Sequence, residues 1–305
     1  MPTESAYPDL SIGPLTVLYG YDNGKYPQGN SLLVRGRDET AIIDPSLGVV
    51  ARRDRLPDVD LVLHSHVHED HMAGSYLFQD ARWFAHVEDV PGLLSLSGMM
   101  DIYGWPEPVY SQWQKTIVEK FNYVAKPDAI GFQSDRCFDL GGVTVTALHT
   151  PGHTRGHCCF LIEWNGSDDR LIFLGDIELS GFGPYYGDAW SDLEDFEHSL
   201  EKLKSIQARW WLTFHHKGLL DGRAQFLPML DRYASVIERR EERLLTFLRE
   251  DHSLSEIVTH RIVYRPQDTA MMIDPVEARS ISMHLAKLVR MGKVRVLDEN
   301  RYQAI

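Results

Sequence analysis

Residues 64–71 read His-Ser-His-Val-His-Glu-Asp-His and follow directly on the apolar run Leu61–Leu63. The chain has 14 histidines among 305 residues, so four of them within eight positions are far more than chance would give. Packing does not explain this cluster, because crowded imidazoles would be buried without a compensating interaction. The apolar run predicts a buried strand whose end holds the following loop rigidly. The stretch therefore predicts a metal site at the end of a strand.

Three later stretches offer further metal ligands, again where predicted strands end. The predicted strand 143–148 leads into a Thr-Pro-Gly turn that presents His153. The predicted strand 171–174 is followed by Gly175 and Asp176, and the predicted strand 210–213 by Phe214, His215 and His216. Imidazole and carboxylate donors without a nearby thiolate suit zinc, iron or manganese, so any of the three metals fits the pattern.

The motif His-x-His-x-Asp-His at 66–71, the Thr-Pro-Gly-His turn, the Gly-Asp pair and the final histidine resemble, in this order, the metallo-β-lactamase superfamily. The resemblance spans residues 14–220. It implies an α/β fold, namely a four-layer αββα sandwich with a two-metal site at one edge of the paired sheets. The implied ligands are His66, His68 and His153 for the first metal, Asp70, His71 and His215 or His216 for the second, and Asp176 as the bridge. Zinc is the default for both metals.

The last ligand is assigned to His215 rather than His216. His215 stands two residues beyond the predicted strand, as the family's histidine does. The Pro-Gly that usually precedes it is replaced here by Thr213 and Phe214, so the choice between the two histidines stays open. Two neighbouring residues have a supporting role by the same comparison: Asp44 is expected beneath the site, and His64 is expected to be a hydrogen-bonded core residue.

The charge distribution suggests two domains. The formal net charge is −13, yet residues 231–305 hold 13 basic and 12 acidic residues, so the acidic excess lies in residues 1–230. We expect a catalytic domain over 1–230, with 87–135 as a helical insertion or lid. The helix predicted over 231–249, two shorter helices and a hairpin of 294–296 with 302–305 indicate a winged-helix-like domain over 231–305. This layout resembles the β-lactamase-like protein 2 group.

The resemblance implies a metal-dependent hydrolase. A hydroxide bridging two metals would attack a small acyl ester, thioester or lactone, with Asp70 and Asp176 as catalytic carboxylates. Two alternatives remain open: a single-strand-specific endoribonuclease that uses the same site, and a non-catalytic metal-binding signalling protein. Residues expected to line the substrate pocket are Trp105, Tyr185, Tyr186 and His216, and either tyrosine could donate a hydrogen bond to a developing oxyanion.

Composition also indicates which kinds of binding partner and which cellular location to expect. A strongly acidic domain makes nucleic acid a less favoured partner, because a long polyanion would need a basic groove that the sequence does not reveal. Three cysteines are too few for a disulfide framework. No run is apolar and long enough to span a membrane, and residues 1–9 do not resemble a signal peptide. We therefore expect a cytoplasmic protein, with a homodimer as one option.

Overall fold

Two β-sheets packed face to face form the centre of the molecule, for which the computed structural model describes residues 9–298 and 300–305. The first sheet has seven strands in chain order: β1 Leu10–Ile12, β2 Leu15–Leu18, β3 Ser31–Arg35, β4 Thr40–Ile43, β5 Leu61–Leu63, β6 Arg82–His86 and β7 Ile130–Phe132. The second has six, in the order β13-β12-β11-β10-β9-β8: β8 Cys137–Asp139, β9 Val143–His149, β10 Cys158–Trp164, β11 Arg170–Phe173, β12 Trp210–Leu212 and β13 Leu219–Asp221.

Helices cover the outer faces of both sheets. Short turns are α1 Tyr21–Gly24, α2 Leu47–Val50 and α3 Pro91–Leu94, with 3-10 turns at Arg53–Arg55 and Ser75–Phe78. The longer helices are α4 Leu96–Tyr103, α5 Val109–Lys120, α6 Leu193–Lys204, α7 Arg223–Phe247, α8 Leu254–His260 and α9 Ile273–Arg290. A third sheet, in the order β14-β16-β15, comprises β14 His252–Ser253, β15 Val294–Asp298 and β16 Arg301–Ala304.

Alternating side chains give each sheet two buried faces. Leu15 and Val17 of the first sheet meet Val143 and Val145 of the second in the core between the sheets. The opposite face of the first sheet packs on α4 and α5. The opposite face of the second packs on α6 and α7, around Phe196. The successive layers are therefore helices, sheet, sheet and helices, as the sequence predicted.

Helix α7 connects this sandwich to the C-terminal part of the chain. It begins at Arg223, eight residues before the predicted start at Asp231, and it continues past the composition shift at residue 230. Its first turns pack on the second sheet through Phe226 and Leu230, while Leu244 belongs to a separate apolar cluster with α8 and α9. The predicted start was wrong, because the helix already includes Pro228 and the composition shift does not mark its beginning.

The C-terminal part contains the predicted three helices and a hairpin. Its identification as a winged helix and as a separate domain remains a prediction. Glu299, in the predicted hairpin turn, and residues 1–8, on which the expectation about a signal peptide rested, lie outside the described residues. Among the helices of the described ranges, none has the length and apolar character needed to cross a membrane.

Candidate metal centre

The predicted ligands converge because the strands that carry them end at one edge of the sandwich. His66, His68, Asp70 and His71 follow β5, and Asp176 follows β11. His153 lies in the turn between β9 and β10, and His215 follows β12. The ligand atoms form two groups, and within each group all atoms lie within 4.8 Å of one another. The first group comprises His66, His68, His153 and Asp176, and the second comprises Asp70, His71 and His215.

The first group is held at the spacing of ligands around one ion. Nε2 of His66 lies 3.1 Å from Nδ1 of His68, and Nε2 of His153 lies 3.2 Å and 3.0 Å from these two atoms. Oδ2 of Asp176 lies 3.3 Å from Nε2 of His153. Nitrogens around a tetrahedral zinc ion are separated by about 3.3 Å, because each Zn–N distance is about 2.0–2.1 Å.

Polar contacts on the far side of each ring favour the tautomer in which the nitrogen that faces the other two rings carries no proton. Nδ1 of His153 donates to the carbonyl oxygen of Tyr185 at 3.0 Å, which leaves Nε2 bare. Nε2 of His68 faces Oδ2 of Asp188 at 3.3 Å, which leaves Nδ1 bare. The hydroxyl of Ser65 donates to Asp44, so it accepts from Nδ1 of His66 at 3.1 Å. Three converging lone pairs repel one another unless a cation lies between them, so the donor set fits a metal ion.

Burial favours the neutral imidazoles that metal binding requires. Desolvation lowers the pKa of His153 to about 4 and holds the pKa of His66 well below its ordinary value. His68 differs, because burial lowers its pKa but the carboxylates of Asp188, Glu69 and Asp176 together raise it by more. Asp188 thereby acts as the partner that orients this ring.

In the second group, the two histidine rings lie next to the carboxylates of Asp70 and Asp176. Nε2 of His71 lies 2.8 Å from Oδ1 of Asp176 and 4.0 Å from Oδ1 of Asp70. Nε2 of His215 lies 3.0 Å from Oδ2 of Asp70 and 3.7 Å from Oδ1 of Asp176. Asp176 therefore reaches the first group through one oxygen and the second group through the other, which is the geometry expected of a bridging ligand.

Buried residues behind the ligands hold them in place. Asp44, which is fully buried, accepts from Nδ1 of His71 at 2.7 Å and from the backbone N–H of Ser65 at 2.7 Å. Nε2 of His157 accepts from the backbone N–H of Asp176 at 3.2 Å. Gly175 has a φ of +54°, and a Cβ there would lie 2.6 Å from Nε2 of His157, so only glycine fits this turn.

His215 and His216 have different surroundings. His215 is buried, and its Nδ1 donates to the carbonyl oxygen of Gly24 at 2.6 Å, so that Nε2 is directed at Asp70. His216 adopts a φ of 64° and is half-buried, with Nε2 3.8 Å from Glu178. The structure brings His215 into the ligand cluster and leaves His216 at its margin.

A cavity of about 290 Å³ opens over the two groups. Trp105 and Trp113 from the 87–135 segment line one side of it, together with Tyr103 of α4. Met272 and Tyr264 come from the C-terminal part of the chain. Aromatic and sulfur-containing side chains thus surround a polar floor of imidazoles and carboxylates, which suits a substrate with an apolar portion.

Three of the four predicted pocket residues line this cavity, and one does not. Trp105, Tyr185 and His216 do. Tyr186 is directed away from the metal centre, because its hydroxyl lies 2.9 Å from Nε2 of His284 and 2.7 Å from Nη1 of Arg240. Its assignment to the pocket was wrong, since adjacent residues in this extended segment point in opposite directions. The hydroxyl of Tyr185 donates to Oδ1 of Asp188 at 3.0 Å, so this proton is already engaged rather than offered to an oxyanion.

Sequence reasoning missed several cavity residues. Glu69 and Glu178 lie within two residues of predicted ligands, but neither of them was assigned a role from the sequence. Burial raises the pKa of each carboxyl to about 7. The others carry no signal in the sequence, because they arrive from separate parts of the chain: Tyr26, Tyr264 and Met272. His64 behaves as predicted, since its ring contacts Ser75 Oγ at 2.9 Å and the Phe84 carbonyl at 3.2 Å inside the core.

Comparison with known proteins places these features in a family. A model of the metallo-beta-lactamase superfamily matches residues 25–231. A beta-lactamase-like protein 2 homolog of Drosophila melanogaster is 28% identical over 54% of this chain and 53% of its own length. The human acyl-coenzyme A thioesterase MBLAC2 is 26% identical over 62% of this chain and 71% of its own. An atrochrysone carboxyl ACP thioesterase of Passalora fulva is 41% identical, but over only 23% of this chain and 18% of its own.

Solved structures share the fold at lower identity. A metallo-beta-lactamase family protein of Thermus thermophilus superimposes with a TM-score of 0.70 at 23% identity, over 96% of this chain and 99% of the other. A beta-lactamase domain protein from Burkholderia ambifaria gives 0.69 at 15% identity, over 99% of this chain and 95% of the other. Because the superfamily model covers more than half of the residues and the αββα layers agree with it, the chain belongs to the metallo-beta-lactamase superfamily.

Proposed function

We propose that this protein is a two-metal hydrolase of small acyl thioesters, with related esters and lactones as further substrates. The observation that carries the proposal is the convergence of the imidazoles of His66, His68 and His153 and the carboxylates of Asp70 and Asp176 beneath an aromatic cavity. Thioesterases among the relatives support the choice of a thioester. The cavity volume of about 290 Å³ limits the acyl portion to a small group or the end of a longer chain.

We assign the ligands as the geometry groups them. His66, His68 and His153 would hold one ion, and Asp70, His71 and His215 a second, with Asp176 shared. Zinc is the first choice because imidazole and carboxylate are ligands that it accepts. When bound, such a pair of ions lowers the pKa of a water molecule and polarises the acyl carbonyl.

The chain's own groups then have distinct tasks. Oδ2 of Asp70 is buried and, among the described residues, receives no hydrogen bond, so it can accept a proton from the attacking water. The aromatic wall of Tyr103, Trp105 and Trp113 excludes bulk water from the acyl group. In the overall reaction the water oxygen bonds to the acyl carbon, the carbon–sulfur bond breaks, and the sulfur leaves as a thiol after it gains a proton.

The test is hydrolysis by metal-replete protein of a short acyl thioester, a lactone and a single-stranded RNA in parallel. The expected result is thioester cleavage that Asp176→Asn abolishes, together with bound metal that the variant loses. Asp58→Asn is a matched control, because it makes the same change at an exposed carboxylate outside the cavity. RNA cleavage without thioester cleavage would replace this proposal with an endoribonuclease, and bound metal without any turnover would replace it with a binding protein.

A further inference from the structure

A second concave surface adjoins the metal cavity. It is a cleft of about 530 Å³ between the 181–182 segment, α7 and residues 263–268. Phe182 and Tyr264 line both spaces, and their rings lie 5.5 Å apart between centroids. A ligand long enough to pass this aromatic pair would occupy the cavity and the cleft at once.

The cleft gathers positive charge that the linear sequence did not reveal. Arg239, Arg240 and Arg243 of α7 line it together with Arg265 from the loop before α9. Its one lining carboxylate among the described residues is Asp268, which accepts from the backbone N–H of Arg265 at 3.0 Å. We refer to these four arginines and the space between them as the arginine cleft.

The charge of the arginine cleft is not neutralised within the protein. Arg239 donates to the hydroxyl of Ser235, and Arg243 donates to the carbonyl oxygen of Arg261 at 2.9 Å. Throughout the described ranges, no carboxylate lies within salt-bridge distance of any of the four guanidinium groups. Nine of the other 18 arginines have such a partner, as Arg209 does with Asp169 and Asp221.

Arg240 is the most unusual member because it is buried. Its side chain is 2% exposed and donates to the carbonyl oxygens of Pro184 at 2.7 Å and Phe182 at 2.8 Å, and to the hydroxyl of Tyr186. All three acceptors are neutral. A guanidinium group in this setting retains its full charge at low local dielectric, so it attracts an anion in the adjoining cleft strongly.

The two spaces have opposite character. The metal cavity is lined by the carboxylates of Glu69, Glu178 and Asp188 and by apolar rings, whereas the cleft is lined by arginines that have no salt-bridge partner among the described residues. This separation favours a substrate with an uncharged acyl end and a distant anionic end. It disfavours a polyphosphate chain laid along the whole path, because phosphates in the cavity would face those carboxylates.

We propose that the arginine cleft binds the phosphate groups of a phosphopantetheine thioester, while the acyl group occupies the metal cavity. The proposal rests on the thioesterase function proposed above and extends it to the leaving group. In such thioesters a long uncharged arm separates the sulfur from the phosphates, as the adjoining spaces require. Coenzyme A and the prosthetic arm of an acyl carrier protein share this chemistry. Arginine is suited to it because its planar donors match phosphate oxygens.

Binding is tested without any reaction, on chelator-treated protein. Isothermal titration calorimetry would use adenosine 3′,5′-bisphosphate, which is specific to coenzyme A, and 4′-phosphopantetheine, which both sources contain. We expect binding that weakens with salt and falls about tenfold or more in the double variant Arg239→Gln/Arg265→Gln, because charge-assisted hydrogen bonds are lost. Arg232→Gln is the matched control, since it removes an exposed arginine of α7 outside the cleft.

Binding of adenosine 3′,5′-bisphosphate and of 4′-phosphopantetheine shows whether the thioester comes from coenzyme A or from an acyl carrier protein. Tight binding of the bisphosphate identifies coenzyme A, and binding of 4′-phosphopantetheine alone identifies a carrier protein. Binding of neither, or equal binding by the double variant, would overturn the proposal. A short single-stranded RNA that binds more tightly than both, and is lost in the double variant, would also overturn it.

Activity gives an independent comparison. The double variant should raise the KM for an acyl-coenzyme A about tenfold at unchanged kcat, because it leaves the metal cavity intact. It should leave the KM for the same acyl group on N-acetylcysteamine unchanged, because that thioester has no phosphate. If the wild type binds the bisphosphate but cleaves neither thioester, the proposed hydrolysis fails while the anion site stands. If it cleaves both with equal KM, the hydrolysis stands and the arginine cleft is not a substrate site.

Discussion

The carboxylate of Asp44 lies 2.7 Å from Nδ1 of His71, with both side chains fully buried. This contact fixes which nitrogen of His71 faces Asp176 and the second group of ligands. We expect Asp44→Asn to weaken metal binding there by about 10- to 100-fold, because an amide does not hold the tautomer or raise the basicity of the ring. Metal titration against a chromophoric chelator measures the change. The exposed Asp58 gives a control, Asp58→Asn, and equal affinities in the two variants would refute the role of Asp44.

The assignment of the last ligand gives a second prediction. His215→Ala should lower bound metal from two ions per chain to one, whereas His216→Ala should retain two, because only the ring of His215 is buried against Asp70. Metal content by inductively coupled plasma mass spectrometry checks both variants. Loss of an ion from His216→Ala alone would reverse the assignment.

Metal removal should lower thermal stability. The ligand carboxylates are buried beside one another, so the ions stabilise the folded chain by mass action, by about 4 kcal/mol at a metal concentration 1,000 times Kd. Differential scanning fluorimetry with and without EDTA should show a drop in Tm of several degrees. Asp176→Asn should respond less to EDTA. An unchanged Tm in the wild type would argue against structural coupling of the ions.

Tyr186 should affect stability rather than catalysis. Tyr186→Phe removes one buried hydrogen-bond partner of Arg240 and one of His284, so we expect a loss of about 1–3 kcal/mol in the free energy of unfolding. Urea denaturation measures this loss. The kcat/KM for a thioester should stay near that of the wild type, while Trp105→Ala, which alters the cavity wall, should reduce it. Loss of activity with unchanged stability in Tyr186→Phe would contradict the observed orientation.

His86 should make stability depend on pH. Burial and the neighbouring His149, whose ring stacks on it at 4.2 Å, lower the pKa of His86 to about 4. Between the unfolded value of about 6.5 and this value, the unfolded chain binds a proton that the folded chain does not, so stability falls as pH falls through that range. Urea denaturation at pH 7 and pH 5 should show a smaller pH effect in His86→Gln than in the wild type. Equal pH effects would contradict the lowered pKa.

Sequence patterns predicted the central strands but not the outer ones. The strands predicted over 143–148, 171–174 and 210–213 exist within one residue of their predicted bounds, at Val143–His149, Arg170–Phe173 and Trp210–Leu212. Five strands were missed: β1, β7, β8 and β13, which are the edges of the two large sheets and have three residues each, and the two-residue β14 of the third sheet. A three-residue edge strand is too short to display an alternating pattern, so its position depends on the neighbour it pairs with.

Only some residues of the candidate site could be predicted from the sequence. The clustered histidines and the Gly-Asp pair could, because they are unusual residues at the ends of predicted strands. Tyr264 and Met272 could not be predicted, because only the folding of distant parts of the chain brings them to the cavity. The arginine cleft was not predicted either, because Arg239 and Arg265 are far apart in sequence and residues 231–305 have a net charge close to zero.

The position of Met272 in the cavity wall has a consequence for the order of assembly. A ribosome delivers His215, the last of the clustered histidines, well before it delivers Tyr264 and Met272. During synthesis, the imidazoles can therefore come together on a nascent sandwich that still lacks one side of its cavity. An ion arriving at that stage meets a broad opening, whereas an ion arriving after α9 has docked must pass the finished aromatic rim.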